Sequence, residues 1–274
     1  MAGMREELGA RLRQRSGAAT PLTLAEGRFL AAEYGLSLRD LERAGLEAGV
    51  VPLRYERNVR AIGPAGQGRL LACRAAVVGL GGLGGHVIES LARVGIGAIV
   101  GIDPDVIEES NLNRQLLSNV DRVGRRKVDC ARVRVAEVNP AVEFSGHAVR
   151  FQDVPDAALG VCDVAFDCLD SVADRRELAA RCGTLGVTLV HGAVAGWAGQ
   201  VGVCGPGGRL VERLYEGVER GVEHREGALP FAAAVAANVM VARAAALLLE
   251  AEADAVGRVL LFDLLGDDWE GVSL

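Results

Sequence analysis

The chain has 274 residues and a formal charge of −6, with half of its residues apolar, 24% charged and only 4% aromatic. That balance excludes a disordered chain, a collagen and a small disulfide scaffold. It also leaves no broad basic field, so a general nucleic-acid or membrane-surface role is not expected.

The six cysteines are Cys73, Cys130, Cys162, Cys168, Cys182 and Cys204, and none stands in a Cys-x-x-Cys pair. The stretch Met1 to Arg15 is charged and has no apolar signal core. Reduced, buried thiols in a cytoplasmic protein are the expectation. The greasiest run, Leu229 to Ala242, is interrupted by Asn238 and is short for a bilayer, so it reads as a buried helix. The chain carries 29 arginines and one lysine, Lys127.

The first fifty residues read as helices. Thr23-Leu-Ala-Glu26 is a capping box, with a stop at Gly35, and Ser37-Leu-Arg-Asp40 starts a second helix that Gly49 and Pro52 end. Residues 1–53 are thus a helical appendage and 54–274 the main body. In the main body, strands are predicted at Arg74–Val78, Ala98–Ile102, Val142–Val149, Asp163–Phe166, Val187–Val190, Gln200–Val203 and Val259–Phe262. Helical patterns fill the gaps at His86–Val94, Lys127–Val138, Val172–Gly183 and Phe231–Ala251. Strands alternating with helices of this length predict an α/β fold with a doubly wound, Rossmann-like, mainly parallel sheet.

Between the first strand and its helix, Gly79, Gly81 and Gly84 fit G-x-G-x-x-G. Such a loop brings backbone close to phosphate, and the helix start offers free N–H groups. Asp103, 24 residues beyond Gly79 at the next strand end, stands where an acid binds ribose. A nicotinamide dinucleotide is the first ligand this evokes. Its pyrophosphate carries about two charges, which the loop and helix serve. A triphosphate carries about four and usually needs side-chain cations and a divalent metal. Arg114 and Lys127 follow the same strand end as Asp103, and Asp170 at another strand end is placed to hold Mg²⁺. The count favours ATP. The structural alternatives are that Asp105 caps its loop, Arg125 and Arg126 are solvated, and Asp170 caps the next helix.

Together, Gly79-Leu-Gly-Gly-Leu-Gly84, the Asp103-x-Asp105 pair, Ser110-Asn-Leu-Asn-Arg-Gln115, Lys127 and Cys168-Leu-Asp170 resemble the ubiquitin-activating-enzyme-like adenylyltransferases, whose bacterial branch includes MoeB, ThiF and HesA. Arg54-Tyr-Glu-Arg-Asn58 resembles that family's short N-terminal element. The resemblance implies that Gly79, Gly81, Gly82 and Gly84 line a nucleotide loop, that Asp103 binds ribose with Asp105 beside it, and that Asn111, Arg114, Gln115 and Lys127 surround the phosphates. Asp170 would coordinate Mg²⁺, and Arg57 would reach the site of the partner subunit in a homodimer. The implied reaction adenylates the C-terminal carboxylate of a ubiquitin-like sulfur carrier ending Gly-Gly, with loss of pyrophosphate. Other readings are adenylation of a peptide or small-molecule carboxylate, a nucleotide-binding scaffold without turnover and, last, a dehydrogenase.

The chain departs from the family pattern in two places. Its lack of Cys-x-x-Cys pairs means that no structural zinc is expected. Residues 205–229 hold no cysteine, so Cys204 and Cys182 are the nearest candidates for a covalent intermediate. His191 reads as a hydrogen-bonded structural residue, and His86 as packing or capping. Trp197 and Tyr215 either touch a peptide tail or fill the core. Glu212 to Glu226 reads as a loop over that tail.

Overall fold

Arg74-Ala-Ala-Val-Val78 is a run of small and β-branched residues that breaks into glycines, and it forms the first strand, β1. In a computed structural model, which describes residues 2–17, 21–219, 221, 223–251 and 256–274, seven further strands join it. They are β2 (Ala98–Ile102), β3 (Glu143–His147), β4 (Val164–Asp167), β5 (Thr188–Ala195), β6 (Ala198–Cys204), β7 (Arg258–Asp263) and β8 (Asp268–Ser273). The order is β3-β2-β1-β4-β5-β6-β7-β8. The first five strands are mutually parallel, and β5 to β8 pair antiparallel. β2 and β4 are buried throughout, as strands covered on both faces must be.

The main-body helices are α4 (Glu56–Ala72), α5 (Gly82–Val94), α6 (Lys127–Val138), α7 (Asp156–Gly160), α8 (Val172–Leu185), α9 (Leu210–Leu214), α10 (Glu223–Glu226) and α11 (Pro230–Leu248). They cover both faces of the sheet. Val87, Ile88 and Leu91 of α5, Ala131 and Val135 of α6, and Ala236 and Met240 of α11 form the core on one face. Leu159 of α7, Leu178 and Cys182 of α8, and Leu210 and Val211 of α9 form it on the other. α4 is kinked at Gly63-Pro64, where Gly63 has φ 71°. The chain runs from β1 outward to β3 and then returns to β4 on the opposite side of β1. That reversal opens a crevice at the carboxyl ends of β1 and β4.

The N-terminal residues form α1 (Ala2–Gly17), α2 (Leu24–Tyr34) and α3 (Leu38–Glu47), around a small core that includes Leu12, Leu30, Tyr34 and Leu41. Thr23 and Glu26 make the capping box, and Gly35 ends α2 in the left-handed conformation. Leu46 packs with Tyr55 and Leu71 of the main body, and Arg39 reaches Glu143 of β3 at 3.1 Å.

Some details depart from expectation. The strand predicted at Val142–Val149 is shorter. β8 was not predicted: Asp268-Trp-Glu-Gly-Val-Ser273 is a charged edge strand, anchored by Trp269 stacked on Phe262 at 5.3 Å. α11 has 19 residues and a mean hydropathy of 1.8, enough by length and composition to cross a membrane. It packs instead against α5, β5 and β6, with Ala232, Ala236, Met240 and Ala244 fully buried. Residues 18–20 of the helical appendage, and residues 220 and 222 of the predicted loop, lie outside the described residues.

Candidate active site

The crevice is a cleft of about 610 Å³. Its floor is the turn from β1 into α5. Gly79 has φ 88°, and a Cβ there would lie 2.6 Å from the Cys168 carbonyl oxygen. A Cβ on Gly84 would fall 1.8 Å from the Gly79 carbonyl oxygen. Both positions therefore need glycine: Gly79 lets β1 turn beside the loop after β4, and Gly84 lets α5 close onto that turn. No side chain caps α5 at Gly81, so its first N–H groups are left for a ligand. Gly81 and Gly82 line the cleft, whereas Gly84 sits beneath it.

The β2 end supplies acids. Asp103 is 4% exposed and accepts the Leu80 N–H at 2.6 Å and the Asp105 N–H at 2.8 Å. One carboxylate thus ties the glycine turn to its own loop. Burial pushes the Asp103 carboxyl above its ordinary range, and the Lys127 charge opposes that push. Lys127, the first residue of α6, is buried too. Its Nζ lies 2.8 Å from Asp105 Oδ2 and 3.6 Å from Asp103 Oδ2. Asp105 is therefore an ion-pair partner as well as a loop residue. Arg125 and Arg126 are exposed.

Arg114 and Gln115 face the cleft from the segment after β2. The aliphatic stem of Arg114 would meet a Cβ on Gly82 at 3.4 Å, and the Gln115 amide would meet one on Gly81 at 3.6 Å. Arg114 donates to the Ser110 carbonyl and the Asn113 side chain, which leaves part of its fork toward the cleft. Asn111 is outside the cleft lining. It is buried and accepts the Glu108 N–H at 3.1 Å, closing a short 3-10 turn that presents Arg114 and Gln115. Arg57 is exposed in the first turn of α4, also outside the lining.

The loop after β4 completes the cleft with Cys168, Leu169 and Asp170. Ser171, not Asp170, caps α8, which leaves the Asp170 carboxylate free of that duty. Among the described residues no group of three His, Cys, Asp or Glu side chains gathers to hold a metal. A carboxylate that stands outside any such group, in a cleft of about 610 Å³, suits an ion that takes its remaining ligands from phosphate oxygens and water.

Polar cleft residues not singled out from sequence include Arg150 and Gln152 after β3, and Asp174 and Arg175 on α8. Gln152 donates to Asp174 at 2.9 Å and Glu177 at 3.0 Å. His191 is fully buried in β5 and hydrogen-bonded, in keeping with a structural role. His86 is half-buried, and burial lowers its pKa. Tyr215 is buried, while Trp197 is half-exposed and lies against Phe231 with ring centroids 4.7 Å apart at a 45° tilt. Cys204 and Cys182 are buried away from the cleft lining. Burial pushes both thiols up, Cys182 to about 12, and Cys204 Sγ donates to the Gly208 carbonyl. Gly227 and Ala228 form the far rim, where the Gly196 N–H donates to the Gly227 carbonyl at 2.9 Å and Asn113 donates to the Ala228 carbonyl at 3.2 Å.

Among solved structures, the fold is similar to Escherichia coli MccB crystallised with ATP, with a TM-score of 0.69 and 22% identity over 81% of this chain and 71% of that one. Among characterised proteins, the chain is 35% identical to the SAMP-activating enzyme E1 of Haloferax volcanii over 80% of its own length and 84% of that protein's. It is 38% identical to the molybdopterin-synthase adenylyltransferase of Salmonella typhimurium over 55% of this chain, and 32% identical to the sulfur carrier protein ThiS adenylyltransferase of Escherichia coli over 56%. It spans 62% of each of those two proteins. The ThiF family profile matches residues 55–274, which takes in every strand and the whole cleft. With the glycine turn, the paired acids, the buried lysine and the Asp170 loop assembled at one switch point, the chain belongs to the ThiF family.

Proposed function

We propose that the protein is an ATP- and Mg²⁺-dependent adenylyltransferase. It activates the C-terminal carboxylate of a ubiquitin-like sulfur-carrier protein ending Gly-Gly, as an acyl-adenylate, and releases pyrophosphate. The observation that carries this reading is the gathering of Asp103, Arg114, Gln115, Lys127 and Asp170 around an uncapped helix start in one cleft. The names of the relatives, each an adenylyltransferase or activating enzyme, support it.

The chemistry fits the groups. The α5 N–H groups and the Gly79–Gly82 backbone bind phosphate oxygens. Asp103, held by two backbone N–H groups, orients ribose. A carboxylate attacking an α-phosphate brings two anions together, and Arg114 and Lys127 offset that repulsion as charge moves to pyrophosphate. Lys127 has a flexible stem and leaves Asp105 for phosphate as the nucleotide enters. Asp170 would hold Mg²⁺, whose chemistry when bound is to neutralise phosphate charge. No Ser-His-Asp device is needed, because the substrate carboxylate is itself the nucleophile. The rim at Gly227 and Ala228 receives the carrier tail.

Arg57 acts across a homodimer. It is exposed and outside its own cleft, and the outer side of α11 is partly exposed and apolar, with Arg243 as the only charge on the helix. Residues 1–53 are a separate helical extension docked on 54–274, and the protein works in the cytoplasm without a structural zinc.

The test is thermal stability with MgATP, ATP plus EDTA, NAD and NADP in parallel, followed by pyrophosphate exchange with carriers ending Gly-Gly. A ligand at about a hundred times its Kd adds roughly 2.7 kcal/mol. That raises the midpoint by several degrees, at about 2–4 °C per kcal/mol. A Mg²⁺-dependent shift that Asp170→Ala abolishes is expected. A shift with NAD and none with ATP overturns the reading, and exchange driven by a small carboxylate but by no carrier replaces the substrate.

A further inference from the structure

Behind the Cys168–Asp170 turn lies a line of buried polar groups, of which Arg175 alone also lines the cleft. Asp167 ends β4 fully buried, and its register partner across the sheet is His191 of β5. Asp167 Oδ1 accepts the Leu169 N–H at 3.1 Å, and its Oδ2 lies 2.7 Å from His191 Nδ1. On the other side of the ring, His191 Nε2 lies 3.2 Å from the Tyr215 hydroxyl and 3.2 Å from Gln200 Nε2, both of which can donate to it. That hydroxyl accepts from the Arg175 guanidinium and from Gln200 Nε2 at 3.0 Å. Arg175 also donates through Nε and Nη2 to the Leu169 carbonyl, at 3.0 and 2.8 Å.

The donor inventory allows one assignment. A phenol oxygen accepts two hydrogen bonds and donates one. Arg175 and Gln200 can only donate to it, so its own proton points at His191 Nε2. That nitrogen is then the acceptor, and the imidazole proton sits on Nδ1, donating to Asp167. Burial pushes the Tyr215 phenol up and so keeps it a donor. Leu169 is clamped at both ends of its peptide, by Asp167 at N–H and by Arg175 at C=O, and the next residue is Asp170. At the other end, Tyr215 follows α9 in the segment that leads to the Gly227–Ala228 rim, and Arg176 holds its carbonyl.

We infer that Asp167, His191 and Tyr215 are positioning residues that set the Leu169–Asp170 turn and tie its geometry to the end of α9. This rests on the proposed role of Asp170. It assigns a purpose to a buried dyad that the reaction itself does not need.

The test uses Tyr215→Phe and Asp167→Asn in the full chain. Tyr215→Phe removes the hydroxyl donor to His191 and the acceptor that Arg175 uses there, leaving Gln200 Nε2 beside the ring. Asp167→Asn keeps the shape but offers an amide donor to Nδ1, which reverses the tautomer. Three quantities are read: the imidazole ¹⁵N shifts of His191 without metal, ATP affinity in EDTA, and the Mg²⁺ concentration that half-saturates the ATP complex. An Nδ1–H tautomer is expected in the wild type and an Nε2–H tautomer in Asp167→Asn. ATP affinity in EDTA should stay within about twofold, and the Mg²⁺ requirement should rise about tenfold in both variants, the size seen when groups that orient a ligating residue are removed. An Nε2–H tautomer in the wild type overturns the inference. So does an unchanged Mg²⁺ requirement in folded variants, with or without a lower melting temperature. If one variant does not fold, the other gives the reading. A wild type that binds no MgATP removes the role of Asp170 and this inference together, whereas normal wild-type binding with unaltered variants removes the inference alone.

Discussion

Lys127→Met separates two contacts that look alike in distance but differ in weight. The 2.8 Å contact to Asp105 involves a side chain that is 63% exposed. Exposed pairs of that kind contribute roughly 0–1 kcal/mol. The 3.6 Å contact to Asp103 involves a carboxylate that is 5% exposed. Stranding a buried charge costs about 3–5 kcal/mol, and the two backbone N–H groups on Asp103 bring the expected loss down to roughly 2–3 kcal/mol. At about 2–4 °C per kcal/mol, the melting midpoint at neutral pH should fall by roughly 5–10 °C. The sign with pH follows from the raised pKa of Asp103. The folded chain holds this proton to higher pH than the unfolded chain does. The ionised carboxylate therefore weighs against stability at neutral pH, and the burden lifts as pH falls through the folded pKa. Removing Lys127 raises that pKa further, so the variant's deficit should shrink as pH falls from neutral into the carboxylate range. Calorimetric melts of both proteins across this range check it. An equal deficit at both ends, or none at neutral pH, would refute the buried-pair reasoning; Asp105→Asn, which touches only the exposed contact, should cost under about 1 kcal/mol.

Gly84→Ala should abolish nucleotide binding or folding, because the new Cβ meets backbone at 1.8 Å and no rotamer relieves it. Gly68→Ala in α4 meets nothing within 4 Å and should raise stability by about 0.5–1 kcal/mol through helix propensity alone. Tyr55→Phe leaves the NH2 of the buried Asn139 amide with one acceptor, the Ala92 carbonyl, in place of two, and should cost about 1–3 kcal/mol in denaturant titrations without altering nucleotide affinity. Arg57→Ala and Asp170→Ala should each be inactive alone. Refolded together in equal amounts, they should recover about a quarter of wild-type exchange activity, since half the dimers then hold one intact site of two; no recovery would place Arg57 outside the partner's reaction.

The parts of the site legible in the sequence are those whose chemistry is local to a strand end. Gly79 and Asp103 directly follow apolar runs, and Asp170 comes three residues after the end of β4, so a period and a breaker were enough to set them at one edge of the sheet. Lys127 was conspicuous as the lone lysine, but its burial beside Asp103 depends on how α6 meets the β2 loop. Asn111 shows the limit of motif reading: it sits inside the six-residue segment that presents Arg114 and Gln115, yet its side chain closes the turn instead of facing the cleft. His191 was readable as a bonded histidine, but not its partners, which lie 24 residues away in both directions at Asp167 and Tyr215. Such pairs are set by strand register, which spacing alone does not reveal. β8 escaped notice because an edge strand of acids and glycine has little alternation to detect. α11 begins one residue before the predicted run Phe231–Ala251, with Pro230 in its first turn, and stops three residues short of it, at Leu248.

The cleft is assembled from loops that each lean on the next. Asp103 of the β2 loop accepts from Leu80 of the glycine turn. Gly79 passes within a methyl's width of the Cys168 carbonyl. Leu169, one residue on, is held by Asp167 and Arg175, and Arg175 in turn reaches Tyr215. Residues bound in one network of this kind do not contribute independently. A double variant such as Lys127→Met with Tyr215→Phe, at opposite ends of the chain of contacts, should therefore lose less affinity for ATP in the presence of limiting Mg²⁺ than the sum of its parts. The second substitution acts on a cleft whose turns the first has already loosened.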